Sequence, residues 1–152
     1  MKPRIYTDTS VIGGCADEEF AEHSVRLLDS FVRGERLLVL SSLTVQELAA
    51  APPEVRSRLA TVPQEHVELM QLGGEARELA EGYIAAGVLT PRMRADAQHI
   101  AIATVGRVDV LVSWNFKHIV NLQRIQGYNS VNLRKGYPMV EIRTPREVLS
   151  DE

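Results

Sequence analysis

One cysteine, one tryptophan and an aromatic share of 5% are the scarcest features of this 152-residue sequence. Cys15 alone closes no disulfide within the chain and leaves a cysteine-based zinc site without ligands. With so few rings, the core must be built from Leu, Ile, Val and Ala. The longest aliphatic run, residues 37–40, is far too short to span a bilayer. The amino-terminal residues enter a strand pattern without the apolar stretch of a signal peptide, so a reducing cytoplasm is the expected compartment. A net charge of -3 argues against a broad basic surface of the kind that holds proteins to nucleic acid, but not against contact at one site. Neither G-x-x-x-x-G-K-[ST] nor G-x-G-x-x-G occurs, and Asp8-Thr9-Ser10 lacks a second Asp two residues on, which disfavours other phosphoryl-transfer chemistry on an α/β sheet. No repeat, low-complexity tract or linker interrupts residues 1–152, so a single domain is expected.

Short apolar runs alternate with helical patterns. Residues 5–7 read as a strand followed by a helix start at Asp8-Thr9-Ser10, and residues 18–33 carry Phe20, Leu27, Leu28, Phe31 and Val32 on one helical face up to Gly34. Residues 37–40 have the continuous apolar character of a strand buried on both faces. Thr44 is expected to open a helix to residue 51, Pro52-Pro53 to end it and start another over 54–61, and residues 63–74 show no sustained period. Helices are predicted over 76–84, closed by Gly87, and over 92–105, ending at Gly106. Residues 108–113 form the next buried strand, 115–135 read as mostly helical up to Gly136 and Pro138, and 140–143 form a last strand. Thr144-Pro145-Arg146-Glu147 is a capping box that opens a closing helix. This order predicts an α/β protein with three layers, α/β/α, around a central, mainly parallel sheet.

Ligands of such sheets bind beyond the carboxyl ends of the strands. Asp8 follows the first strand, Asn115 follows the strand over 108–113, and Glu47 lies in the first turn of a helix after the second strand. Asp96 lies in the first turns of a helix whose same face carries His99, Ile100 and Ala103. Each also has a purely structural reading. Asp8 can be a helix N-cap, Glu47 the far half of a Thr44-x-x-Glu47 capping box, Asp96 a carboxylate at the positive end of a helix, and Asn115 a turn residue. Together they form a set of three carboxylates and an amide oxygen, hard ligands suited to Mg²⁺ or Mn²⁺. Carboxylates brought close repel one another, and a cation is the simplest means of keeping all of them ionised.

Four segments in order carry a family resemblance: Asp8-Thr9-Ser10-Val11-Ile12-Gly13-Gly14, Val45-Gln46-Glu47-Leu48, Arg94-Ala95-Asp96-Ala97-Gln98-His99-Ile100-Ala101 and Leu111-Val112-Ser113-Trp114-Asn115-Phe116. They resemble the successive motifs of PIN domains, and among these the VapC-type toxins of type II toxin–antitoxin pairs, over residues 4–143. The resemblance implies a PIN-like fold and a metal-dependent endoribonuclease that cleaves RNA with water activated at Mg²⁺ or Mn²⁺. Asp8, Glu47 and Asp96 fall on the acidic positions of the family, with Ser10 and Ser113 as supporting hydroxyls. The fourth acidic position falls on Asn115, which supplies an oxygen but one charge less, so one well-held ion is expected, with a second arriving with substrate. The resemblance further implies an antitoxin partner and a homodimer.

Arg92, Arg94 and Lys117 flank the expected cleft and are candidates for contacts to the RNA backbone. His99 reads as a packed or hydrogen-bonded core histidine, His118 as part of a solvated loop, Trp114 and Cys15 as packing residues, and the stripe from Ala76 to Ile84 as core that could serve a dimer if exposed. The competing reading, kept alive by Asn115, is a PIN-like module that binds RNA or protein without efficient cleavage.

Overall fold

Tyr6, Val39 and Leu111 alternate along their strands with Ile5, Leu38, Leu40, Val110 and Val112, and the two sets are buried in two separate hydrophobic clusters. A sheet apolar on both faces needs helices on both. The computed structural model, which describes residues 1–150, has that architecture. Five strands, β1 (Arg4–Thr7), β2 (Leu37–Ser41), β3 (Val67–Met70), β4 (Val110–Val112) and β5 (Ile142–Arg143), form one sheet in the order β3-β2-β1-β4-β5. Every pairing is parallel, with Ile5 beside Leu38 on one side and Val110 on the other.

One face is covered by α5 (Gly74–Ala85), α6 (Arg94–Val105) and α7 (Leu122–Arg134), the other by α1 (Thr9–Gly13), α2 (Ala21–Val32), α3 (Ser42–Leu48), α4 (Pro53–Leu59) and α8 (Pro145–Leu149). The three layers match the expected α/β/α arrangement. The stripe from Ala76 to Ile84 goes into the core, where Ala76, Leu79, Ala80 and Tyr83 are buried and Ile84 is partly buried. Among the described residues no helix is long and apolar enough to cross a membrane.

Several boundaries differ from the sequence pattern for local reasons. The helix expected to open at Thr44 begins at Ser42, because the Ser41 side chain accepts from the Thr44 backbone N–H and caps it. Residues 67–70, which show no sustained period, form the edge strand β3, paired only with β2 and with Leu69 exposed. The segment after Asn115 stays in turns as far as Asn121, whose side chain caps α7. Gly34, Gly87 and Gly136 take left-handed backbone after their helices, but at the end of α6 that conformation falls on Arg107 and not on Gly106.

Order in the sheet puts the chain reversal between β1 and β4: the chain runs outward through β2 and β3, then returns to the other side of β1. Packing there is expected to set stability. Leu111→Ala, at a fully buried position in β4, should cost about 2–5 kcal/mol, whereas Leu122→Ala, at a residue 73% exposed, should stay within about 0.5 kcal/mol. Chemical denaturation checks the contrast, and equal effects would contradict this account of the core.

Candidate active site

Asp8 is the first residue past β1, and its backbone N–H donates to the carbonyl of Val112 at the end of β4. It is thereby pinned at the point where the strand order reverses, the usual crevice for ligands in an open parallel sheet. Its side chain caps α1, with Oδ1 accepting from Val11 N–H at 3.3 Å and from Ser10 Oγ at 2.6 Å, while Oδ2 accepts from Ser113 Oγ at 2.7 Å. The capping role and the site role therefore coexist. Burial pushes the Asp8 carboxyl above its ordinary range, against the hydrogen bonds from Ser10 and Ser113 that favour the ionised form.

Glu47 lies near the end of α3, not in its first turn, so Thr44 and Glu47 form no capping box and the structural reading of Glu47 lapses. Its Oε1 accepts from Thr9 Oγ1 and from His99 Nε2, the latter at 2.8 Å, while Oε2 has no hydrogen-bond partner among the described residues. Burial raises the Glu47 pKa, but the bonds from His99 and Thr9 outweigh it and leave the group below the usual carboxylate range.

His99 does more than pack. Its Nδ1 lies 2.7 Å from Tyr6 OH, and Tyr6 OH lies 2.8 Å from Ser41 Oγ, the cap of the helix that carries Glu47. An ionised Glu47 can only accept, so Nε2 of His99 carries a proton toward it, while Nδ1 shares a hydrogen bond with the Tyr6 hydroxyl. Burial pushes the Tyr6 phenol far above its ordinary pKa, which keeps it a donor. The result is a buried chain of hydrogen bonds that links Ser41, Tyr6, His99 and Glu47. Each link fixes the next.

Asp96, three residues before His99 on the same face of α6, is held from the other side. Its Oδ2 accepts from His118 Nδ1 at 2.9 Å, and Oδ1 has no partner among the described residues. His118 is thus drawn out of the solvated loop expected for it, to 16% side-chain exposure, with its Nε2 buried and unpartnered.

Asn115 is placed beside the group but turned to its own backbone. Its Oδ1 accepts from the N–H groups of Lys117 and His118, and its N–H donates to Ser113 Oγ. Both lone pairs of the amide oxygen are engaged in shaping the 115–118 turn. Ser10 and Ser113 join the cluster as supporting hydroxyls, and Ser10 Oγ also accepts from Trp114 N–H. Trp114 is a packing residue, stacked on Phe20 at 4.5 Å and donating Nε1 to Ser24; a Cβ at Gly14 would lie 2.6 Å from that Ser24 oxygen, so glycine is needed for the approach. Arg92 and Lys117 are exposed. Arg94 is already neutralised by Glu81 in a two-pronged pair.

Solved structures with the same architecture were found. The VapBC2 complex of Rickettsia felis, bound to a DNA fragment from its promoter, superposes with a TM-score of 0.59 at 12% identity, over 93% of this chain and 98% of that one. VapC20 of Mycobacterium tuberculosis, a sarcin–ricin loop cleaving toxin, gives 0.55 at 14% identity, over 90% and 98%. The chain has the PIN-domain fold of the VapC toxins. In sequence, no family model and no curated protein matches it. The likeness is therefore one of fold alone, and the chemistry rests with this chain's own side chains.

Those side chains suit a hard divalent cation of a particular kind. Glu47 and Asp96 each commit one carboxylate oxygen to a histidine N–H and leave the other open, which is how a metal-binding carboxylate is commonly oriented. Among the described residues no three His, Cys, Asp or Glu side chains come close enough to enclose an ion. An ion such as Mg²⁺, which keeps most of its water and takes one or two carboxylates plus substrate oxygens, does not require such an enclosure.

A buried carboxylate without a cation is a stability cost, and its sign fixes a pH dependence. The folded-state pKa of Asp8 is raised, so its penalty is absent below the unfolded pKa, near 4, and complete above the raised value. In metal-free protein, Asp8→Asn should raise the melting temperature at neutral pH by a few degrees, with the gain vanishing toward pH of about 4. Thermal unfolding in EDTA across that range checks this, and a gain independent of pH would contradict it.

Proposed function

We propose that this PIN-fold protein is a divalent-metal-dependent endoribonuclease and the toxin of a toxin–antitoxin pair. The observation that carries the reading is the meeting of Asp8, Ser10 and Ser113 at the β1–β4 switch point, with Glu47 and Asp96 nearby, each pinned through one oxygen and open at the other. Asp8, Glu47 and Asp96 would hold Mg²⁺ or Mn²⁺, with Asn115 as a weaker fourth member whose oxygen would first have to leave the 115–118 turn. Such an ion lowers the pKa of water and offsets charge building on a phosphodiester.

The protein's own residues supply orientation. Ser10, Ser113 and Val11 N–H fix both oxygens of Asp8, Thr9 and the His99 chain fix Glu47, and His118 fixes Asp96. No protein nucleophile is required. His99 and His118 act on the site through the carboxylates they hold. RNA is the substrate of this reading. The partner is an antitoxin, which a basic side chain reaching into the acidic site would suit, and the toxin is taken as a homodimer, as the family resemblance implies.

The test is cleavage of a mixed pool of structured RNAs by purified protein with Mg²⁺, with Mn²⁺ and with EDTA. Cutting is expected with either metal and not in EDTA, and Asp8→Asn or Asp96→Asn should reduce it to background while the protein stays folded. Full activity in either variant would remove the assignment. His99→Leu should lower activity or metal affinity about 10–100-fold, and His99→Gln, which restores a donor toward Glu47, should recover part of it; equal losses in both would assign His99 to packing alone.

The engagement of both Asn115 lone pairs by backbone N–H groups favours one alternative, a PIN-like module that binds RNA or protein without cutting. Mn²⁺ titration separates the two, because the scaffold has no need to bind the ion at millimolar or better affinity, while the nuclease does.

A further inference from the structure

Arg4, Arg33, Arg94 and Arg143 are each neutralised by a carboxylate. Arg124 is not. Half-buried in the first turn of α7, it donates Nε to the Lys117 carbonyl at 3.2 Å and Nη1 to the Val88 carbonyl at 2.5 Å, and its Nη2 has no partner among the described residues. A cation in the first turn of a helix opposes the helix dipole, and no acidic residue in that turn offsets it. Two backbone carbonyls hold a guanidinium where the helix dipole disfavours one, and no carboxylate neutralises its charge.

Arg124 lines an open groove of about 570 Å³ between α7 and the turn after α5, together with Lys117, Asn121 and Gln123 and without any carboxylate. Val88 forms the opposite wall. It comes so near that a Cβ at Gly127 would lie 2.8 Å from its side chain, so glycine at 127 sets the groove's width. The groove is joined to the candidate active site by the 115–118 turn, in which the Lys117 and His118 N–H groups bond to Asn115 and His118 holds Asp96. One turn of chain thus presents Lys117 to the groove and His118 to the carboxylates.

We propose that this groove carries the phosphate backbone of the RNA strand on one side of the bond to be cut, with Arg124 as a fixed fork for one phosphate and Lys117 as a mobile charge for another. The proposal rests on RNA being the ligand of this protein. It also explains how a chain with net charge -3 holds RNA, since positive charge is needed only along one track.

The test is fluorescence anisotropy of a short fluorescein-labelled single-stranded RNA of mixed sequence, titrated with the full chain in EDTA at several salt concentrations. Lys117→Glu and Gln123→Glu alter exposed side chains that make no hydrogen bond within the described residues, so they leave folding alone, whereas Arg124→Gln also removes two internal bonds. Lys2→Glu, at the amino edge of the sheet, is the control. Each groove variant should weaken binding about fivefold to tenfold at low salt. Lys117→Glu should also flatten the slope of log affinity against log salt by about 0.7 for each phosphate it no longer neutralises, and Lys2→Glu should stay within about twofold. Wild-type affinity in Lys117→Glu and Gln123→Glu would overturn the proposal, as would the absence of RNA binding by the unaltered protein. So would variants that keep RNA but lose a poly-glutamate peptide, which would assign the groove to an acidic protein segment. Groove-dependent binding without cleavage in Mg²⁺ would remove the nuclease reading and leave the groove standing. Cleavage with unchanged binding in the variants would do the reverse.

Discussion

The parallel pairing of β1 with β4 is the constraint on which the rest of the molecule depends. It sets Thr7 beside Val112, so that the next residue of each strand emerges at the same point of the carboxyl edge. Asp8 and Ser113 can then bond directly, although 105 residues separate them in the chain. The pairing also divides the chain, with β2 and β3 on one side of β1 and β4 and β5 on the other, and such a reversal is where ligands of open parallel sheets usually bind. Without it, Asp8 would be an ordinary helix cap.

Around that point the hydrogen bonds are arranged in tiers. Hydroxyls and a backbone N–H saturate most of Asp8, while Glu47 and Asp96 are each steadied by one histidine and left half open. The tiers draw on both layers of helices: His99 and Asp96 come from α6 on one face, Thr9 and Ser10 from α1 on the other. A displacement of either layer would therefore be felt at the carboxylates. Burying Asp8 opposes its ionisation, and the hydrogen bonds from Ser10, Ser113 and Val11 offset part of that cost. Arg124 shows the same opposition on the positive side, a charge held against a helix dipole.

Much of this was legible in the sequence. The apolar runs over 37–40 and 108–113 have no polar face, and a strand without a polar face belongs in a parallel sheet covered on both sides. Asp8, Glu47 and Asp96 stood out as candidates from their positions after strands and on helices, though Glu47 lies near the end of its helix and not in the first turn, and His99 is the hydrogen-bonded core histidine its buried helical face suggested. Tyr6 and Ser41 were not, because a tyrosine in a buried strand and a serine at its end look like core and cap until the distance between them is known. His118 carried no signal either, since nothing near it in the chain points to Asp96, its partner 22 residues away. The edge strand β3 escaped because it is paired on one side only, with Leu69 exposed, so its hydrophobic pattern is diluted.

Local physics therefore determined the elements: apolar runs made strands, spaced apolar residues made helices, and caps and prolines marked most of their ends. These depend on neighbours within a few residues, and the sequence alone suffices for them. Tertiary structure decided the direction in which each polar group points. Asn115 looked like a ligand and turned toward its own backbone, His118 looked solvated and closed on Asp96, and Arg124 and Lys117 came to line one groove across from Val88. Those outcomes rest on contacts between segments far apart in the chain, where a shift of one hydrogen-bond length changes a residue's partner and no local pattern records the choice.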